Sequence, residues 1–135
     1  MTSRGTDNWE SLLEKANAVL FDMAGQYPQT ALRALDRADA VLASPRVPAA
    51  AIRDDFFPIV HNIKGQGATF GYPLMTEVGA FLCAYIRARK KFNTQDVALF
   101  RRYVAEMRAI AGRRLTGDGG AFGAGLRRKI QREQP

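Results

Sequence analysis

The stretch His61-Asn62-Ile63-Lys64-Gly65-Gln66-Gly67-Ala68-Thr69-Phe70-Gly71 decides how this chain is interpreted. It holds the only histidine of the sequence, and two of its glycines lie inside what the surrounding pattern predicts to be a helix. Glycine in a helix interior costs about 1 kcal/mol relative to alanine, so Gly65 and Gly67 each need a reason.

A helix drawn through this stretch separates a face that carries the histidine from an apolar face. With His61 at zero and about 100° per residue, the residues within roughly 60° of the opposite direction are Ile52, Phe56, Ile59, Ile63, Gly67 and Phe70. Those within roughly 60° of the histidine are Asp54, Phe57, Lys64, Gly65 and Ala68. We therefore predict that His61 faces solvent, that Gly65 leaves room beside it for another molecule, and that Gly67 lets a neighbouring helix pack closely.

Apolar residues recur at helical spacing along most of the chain, and the sequence has no strand-like alternation of useful length. A first stripe consists of Trp9, Leu12, Leu13, Ala16, Val19, Leu20 and Met23. We expect this helix to end near Gly25–Tyr27, because Pro28 follows, and a second helix to run over about 29–43. Further helices are expected over about 49–70, over about 73–90, and from a cap at Asn93 or Thr94 to about 111. The pattern indicates an all-α protein.

Proline and glycine mark bends and ends of these segments. Pro58 lies inside the third one, so either its regular part begins near Asp54, which places Pro58 in the first turn, or the helix bends there. Gly71 fits the left-handed residue that ends a helix. The glycine-rich residues 117–120 break the helical pattern, so we divide the chain into a helical domain over 1–116 and a linker with a flexible basic tail over 117–135.

Composition limits the kind of protein. The chain has 135 residues, is 47% hydrophobic and carries a net charge of +7, which fits one globular domain. With one cysteine and one histidine, it forms neither an internal disulfide nor a zinc cluster of Cys and His ligands. No apolar stretch approaches the ~20 residues that cross a bilayer, and the N-terminal MTSRGTDNWE lacks the apolar core of a signal peptide. We expect a cytoplasmic protein without a membrane partner.

The pattern His61-x-Ile63-Lys64-Gly65-x-Gly67-x-x-Phe70-Gly71 closely resembles the motif of histidine-containing phosphotransfer (HPt) domains. That motif is a histidine, one residue, an aliphatic residue, Lys-Gly, a small residue two positions later, and then an apolar residue and glycine. Matching the lysine, two glycines and two apolar residues by chance has a probability on the order of 10⁻⁴. The resemblance covers about residues 49–112, and the helices before them are additions of a kind found in the family.

The resemblance implies an antiparallel four-helix bundle, here with an additional N-terminal helix or helices. It also implies that His61 accepts a phosphoryl group from an aspartyl-phosphate on a receiver domain and passes it to another receiver of a two-component phosphorelay. Such carriers hydrolyse no ATP and bind no cofactor of their own, since the receiver supplies the Mg²⁺. The implied partners are receiver domains of response regulators or hybrid histidine kinases. Because one face must stay open to dock them, we expect a monomer.

The resemblance also assigns roles to the other positions of the motif. Lys64, on the histidine face, is expected to support the phosphoryl group by its charge. The expected docking surface around the histidine consists of Phe57, Gly65 and Ala68. The structural members of the motif are Gly67, Phe70 and Gly71.

One position departs from the family pattern. Many members carry Gln or Glu on the next helix, where it faces the histidine and bonds its second nitrogen, whereas the corresponding residue here is Cys83. A thiol is a weak hydrogen-bonding partner, so the orientation of the imidazole must have another source. Arg87, one turn later, matches a position where some members are basic, and we assign it a supporting role at the phosphate.

The basic charge supports a different hypothesis, a helical interaction module that binds nucleic acid or an acidic protein surface without phosphotransfer. Its support is charge alone, including Arg127, Arg128 and Lys129 in the tail. It predicts binding that falls steeply with salt and does not depend on His61. We favour the phosphorelay carrier and do not expect nucleic acid as its partner.

Overall fold

The computed structural model describes residues 3–134, with side chains from residue 8 onward, and every regular element in this part of the chain is helical. The helices are α1 (Ser3–Leu42), α2 (Ala49–Ala51), α3 (Phe57–Gly67), α4 (Pro73–Arg87), α5 (Thr94–Gly112) and α6 (Gly120–Arg132). The all-α prediction is therefore confirmed.

A single helix, α1, stands where we expected two, so the predicted break before Pro28 is wrong. Pro28 lies inside the helix, and it is buried. A proline in a helix interior removes one backbone hydrogen bond and costs about 3 kcal/mol. Packing offsets this cost, because every third or fourth residue from this point on is buried in the core: Tyr27, Ala31, Leu35, Ala38 and Leu42.

Pro58 is accommodated by a change of helix type. A π-helical turn over Ile52–Phe56 joins α2 to α3, and the N–H of Phe57 donates to the carbonyl of Ile52 five residues back. Pro58 then falls in the first turn of α3, where proline is tolerated. The predicted segment 49–70 is thus helical throughout. It begins with the three-residue α2, continues through the π-helical turn and α3, and ends in a 3₁₀ turn over Ala68–Phe70.

The helices enclose one hydrophobic core. α1 packs against α5 and α3, α3 packs mainly against α4, and α4 in turn contacts α5. The largest fully buried side chains come from all four of these helices and the π-helical turn: Phe56, Phe100, Leu35, Leu42, Ile52, Leu74, Met75, Leu82, Met107, Ile110, Val60 and Val78. α5 begins at a capping box, in which Asn93 accepts from the N–H of Asp96 and the Asp96 carboxylate accepts from the N–H of Asn93, as the predicted cap at Asn93 requires.

The C-terminal segment differs from the flexible tail that we expected, because residues 120–132 form the helix α6. Leu126 is buried in the core cluster, and Gly117, at the start of the preceding turn, donates its N–H to the carbonyl of Gly71 at 3.2 Å. The basic side chains are also engaged: Arg127 pairs with Glu77 of α4, and Lys129 pairs with Glu106 of α5, both at 2.9 Å. The tail prediction relied on the glycines and the charge, and it overlooked the apolar residues that anchor the helix.

Candidate functional site

Two glycines bring α3 and α4 into close contact. A Cβ atom added to Gly67 would lie 2.8 Å from the carbonyl oxygen of Tyr72, and one added to Gly79 would lie 2.9 Å from the backbone nitrogen of Lys64. Heavy atoms do not approach Cβ atoms this closely, so neither glycine has room for a side chain. The predicted structural role of Gly67 is confirmed. Gly79 was missed, although a glycine on the apolar face of a helix was a signal that the sequence offered.

Thr76 of α4 joins the two helices at the end of this contact. Its hydroxyl donates to the carbonyl of Lys64 at 2.9 Å and accepts from the N–H of Ala68 at 2.8 Å. The side chain therefore stands between two backbone groups that an α-helix would bond to each other, at the point where α3 gives way to the 3₁₀ turn. No sequence pattern marked this threonine.

The 3₁₀ turn ends the motif as the sequence predicts. Gly71 adopts the left-handed conformation, with φ of 91°, and its N–H donates to the carbonyl of Ala68. Phe70 is half-buried, and its ring lies 5.5 Å from the ring of Tyr27 in α1. Gly71 and Phe70 thereby fix the end of α3 against α1 and turn the chain into α4.

The opposite side of α3 is open. His61, Gly65 and Ala68 are exposed, and outside the chain neighbours and helix backbone of Gly65 no described atom lies within 4 Å of a Cβ added to it. The helical-wheel prediction of a solvent-facing histidine with an empty position beside it is confirmed. No side-chain hydrogen bond of the described residues involves the imidazole, so its two nitrogens are open to a second molecule.

Phe57 connects the histidine to α4. Its ring lies 5.8 Å from the imidazole, centre to centre, and the guanidinium carbon of Arg87 lies 5.0 Å from the same ring. Phe57 is half-buried rather than fully exposed, since it also packs against the core. A cation–π contact of this kind holds Arg87 on the histidine side of the molecule, one aromatic ring away from the imidazole.

Lys64 supplies a second cation on this side. Its backbone packs against Gly79 and accepts a hydrogen bond from the hydroxyl of Thr76, and its side chain is half-buried. Among the side chains described, neither Lys64 nor Arg87 forms an ion pair with a carboxylate. Other basic residues, such as Arg108 between Asp36 and Asp39, are paired. Lys64 and Arg87 therefore lie on the side of His61 without a carboxylate partner among the described residues.

Cys83 lies behind this face rather than on it. The residue is 1% exposed, and it forms no hydrogen bond with His61. Burial raises the pKa of its thiol above the usual value. The nearby charges of Lys64 and Arg87 act in the opposite direction and offset only part of this rise. The structure thus brings Cys83 close to both cations, but it does not make the thiol an orienting partner for the imidazole. Among the described aromatic rings, Phe57 is the one that lies against the imidazole.

Comparison of the chain with known protein families, characterised proteins and solved structures gave no significant match. In the part of the chain that the structure describes, no helix combines the length and the apolar character that a membrane crossing requires. The interpretation of the site therefore depends on its residues and their geometry.

Proposed function

We propose that the protein is a histidine phosphotransfer carrier of a two-component phosphorelay. In this proposal His61 accepts a phosphoryl group from an aspartyl-phosphate on a receiver domain and later gives it to the aspartate of another response regulator. The observation that carries the proposal is an exposed imidazole on a rigid helix, next to an empty glycine position and two cations that no described carboxylate neutralises.

The fold suits this role. We infer that α1 from Tyr27 onward, α3, α4 and α5 form the antiparallel four-helix bundle of such carriers, with the earlier part of α1 and α6 as additions. Phosphoryl transfer depends mainly on in-line positioning and on neutralising charge. The close contact of α3 with α4 at Gly67 and Gly79 holds the histidine helix in place, and this rigidity serves the positioning.

The transfer step uses few groups of this chain. A lone pair on an imidazole nitrogen of His61 attacks the phosphorus, the bond from phosphorus to the aspartate oxygen breaks, and the aspartate leaves as a carboxylate. The N–H proton on the other ring nitrogen is then released to solvent, to which the ring is open. Lys64 approaches the phosphoryl oxygens, and Arg87 swings from the ring of Phe57 to do the same. The receiver contributes Mg²⁺, and this chain provides no ATP chemistry. We place the reaction in the cytoplasm.

Docking of a receiver uses the same face. Gly65 and Ala68 present backbone and a methyl group, so the receiver aspartate comes close to the imidazole without steric hindrance. Phe57 offers an aromatic edge at the border of this surface, next to the histidine. Small residues around a reactive group, with an aromatic contact at the side, are suited to a transient complex.

The alternative, a basic module that binds nucleic acid or an acidic surface, has less support. Two of the tail cations on which it relied, Arg127 and Lys129, pair with carboxylates of this chain. Such a module also gives no reason for an empty glycine position next to the only histidine. It predicts salt-sensitive binding that is unchanged in the His61→Gln variant.

The test is phosphoryl transfer from a panel of labelled, phosphorylated receiver domains to the purified protein, with His61→Gln as the comparison. We expect label on the wild type alone, and this label should be lost in acid and retained in alkali. Phosphoramidate, a small phosphoryl donor, serves as a second donor that needs no docking. Label on His61→Gln, or none on the wild type from any donor, would overturn the proposal. Circular dichroism of both proteins checks that the variant is folded.

A further inference from the structure

The N-terminal part of α1 extends away from the core. None of the described residues from 8 to 26 is buried, whereas Tyr27 and the residues that follow it at helical spacing are. The unsupported part, residues 3–26, is about 36 Å long at 1.5 Å per residue. Isolated helices in water draw little stability from propensity alone, and most helices in proteins are stabilised by packing of an apolar face. This helix has such a face, and nothing in the described chain covers it.

The apolar face is a continuous stripe, here called the α1 stripe. With Ala16 at zero on the helical wheel, its members all lie within roughly 60°. Six large apolar side chains line it, between 44% and 62% exposed: Trp9, Leu12, Leu13, Val19, Leu20 and Met23. Together they offer roughly 600 Å² per molecule, if a large side chain presents ~200 Å² when fully exposed. A contiguous apolar patch of about 600 Å² is at the upper end of what a monomer exposes, and patches of that size are often functional.

The charges on the helix select the partner. On the helical wheel Glu10 and Glu14 lie about 120° and 160° from the centre of the α1 stripe, and Lys15 and Asp22 lie about 100° and 120° from it on the other side. Helices that bind membranes are rich in Lys and Arg on the polar face, and this one has more acidic than basic residues. A helix of the same sequence that runs in the opposite direction meets the Lys15–Asp22 edge with its own, so Lys15 of each copy faces Asp22 of the other.

We propose that the α1 stripe is a dimer interface, in which two copies of this chain pair their α1 helices in antiparallel orientation. Two stripes together present about 1,200 Å² of apolar surface, the lower end of the range for stable protein–protein interfaces. With Lys15 opposite Asp22, the stripes overlap over about residues 14–23 of each copy, and Trp9 and Leu12 extend past this overlap towards residues 25–28 of the other copy. Two Lys15–Asp22 pairs at the edges fix the orientation. This inference does not rest on the proposed phosphotransfer, and it departs from the monomer that the sequence favoured.

The α1 stripe carries its own spectroscopic probe, because Trp9 is the only tryptophan of the chain. Sedimentation equilibrium of the wild type should give twice the monomer mass of 14.9 kDa at micromolar concentrations, and dilution should return it to the monomer. The emission of Trp9 should shift to longer wavelength over the same range of dilution. A monomer at all concentrations up to hundreds of micromolar would overturn the proposal.

A matched pair of substitutions separates the α1 stripe from general surface hydrophobicity. Leu13→Asp removes an apolar contact from it, whereas Phe21→Asp acts on the most exposed large apolar residue of the helix, at 80%, which lies about 140° from the stripe centre. We expect Leu13→Asp to weaken the dimer at least 100-fold and Phe21→Asp to leave it within about threefold. An equal effect of both changes would overturn the proposal.

Charge exchange tests the antiparallel orientation. Lys15→Asp and Asp22→Lys each place like charges opposite one another and should weaken the dimer several-fold, whereas the double variant should restore wild-type affinity. Failure of the double variant to recover, with intact helix content by circular dichroism, would contradict the proposed pairing. If the wild type is a monomer and its Trp9 responds to anionic vesicles or to a receiver domain instead, the α1 stripe binds that partner and the dimer is wrong.

Discussion

The two sides of α3 use glycine for opposite purposes. On the side that faces α4, Gly67 and, from across the contact, Gly79 have no room for a side chain. On the side that carries His61, Gly65 is surrounded by open space. The fold needs the first two glycines, whereas nothing in the fold requires the third. A helix that omits a side chain where its own packing does not demand it pays about 1 kcal/mol in stability, and the space next to His61 gives a functional reason.

The largest effect that this comparison predicts is on stability at the closed side. We expect Gly67→Ala to lower the free energy of unfolding by about 1–3 kcal/mol, because the new Cβ meets the backbone oxygen of Tyr72, which no rotamer change can move. Gly79→Ala should do the same against the backbone of Lys64. Urea denaturation measures both. A Gly67→Ala protein as stable as the wild type would show that α3 and α4 can separate without cost.

The sequence revealed this side of the molecule only in part. Helical periodicity predicted the all-α class, the faces of α3 and the end at Gly71, because each depends on residues close together in the chain. The Thr76 bridge could not be predicted, because it depends on where α4 lies relative to α3. Pro28 misled the prediction for a related reason: local chemistry disfavours a proline within a helix, and burial of the surrounding residues in the core overrides that preference.

The open side should show effects on transfer with little effect on stability. We expect Lys64→Gln to slow phosphoryl uptake by about 10- to 100-fold, because a hydrogen bond to a charged group contributes about 1.5–3 kcal/mol. The free energy of unfolding should change by less than about 0.5 kcal/mol, because Lys64 forms no ion pair with a described carboxylate.

Lys64→Arg is the control for this residue, since it keeps the positive charge and should retain most of the rate. Single-turnover transfer from a phosphorylated receiver measures all three proteins. If Lys64→Gln transfers at the wild-type rate, the charge of Lys64 has no part in the reaction, and Arg87 becomes the cation to test next.

Gly65→Ala should change the free energy of unfolding in the opposite direction to Gly67→Ala. The added methyl group meets nothing within 4 Å, and alanine favours the helix, so we expect stability to rise by about 0.5–1 kcal/mol. Transfer from a docked receiver should fall several-fold, because the methyl group enters the space that the receiver needs. Uptake from phosphoramidate should stay near the wild-type rate. A Gly65→Ala protein that keeps its full rate with receivers would make this glycine irrelevant to docking.

The smallest effect concerns Cys83, a buried residue of α4 on the closed side. Burial raises the pKa of this thiol above its usual value of about 9. The folded state therefore keeps the thiol protonated at a pH where the unfolded chain ionises. The free energy of unfolding is therefore unaffected by this thiol below pH 9, and it falls as the pH rises further, by at most about 1.4 kcal/mol per pH unit.

Urea denaturation at pH 8 and pH 10 should show a steeper loss of stability for the wild type than for Cys83→Ala, which has no thiol to ionise. Both proteins should accept phosphoryl groups at pH 8. Equal losses of stability in the two proteins would mean that the thiol is open to solvent. A Cys83→Ala protein that takes up no phosphoryl group would show that Cys83 takes part in the reaction at His61.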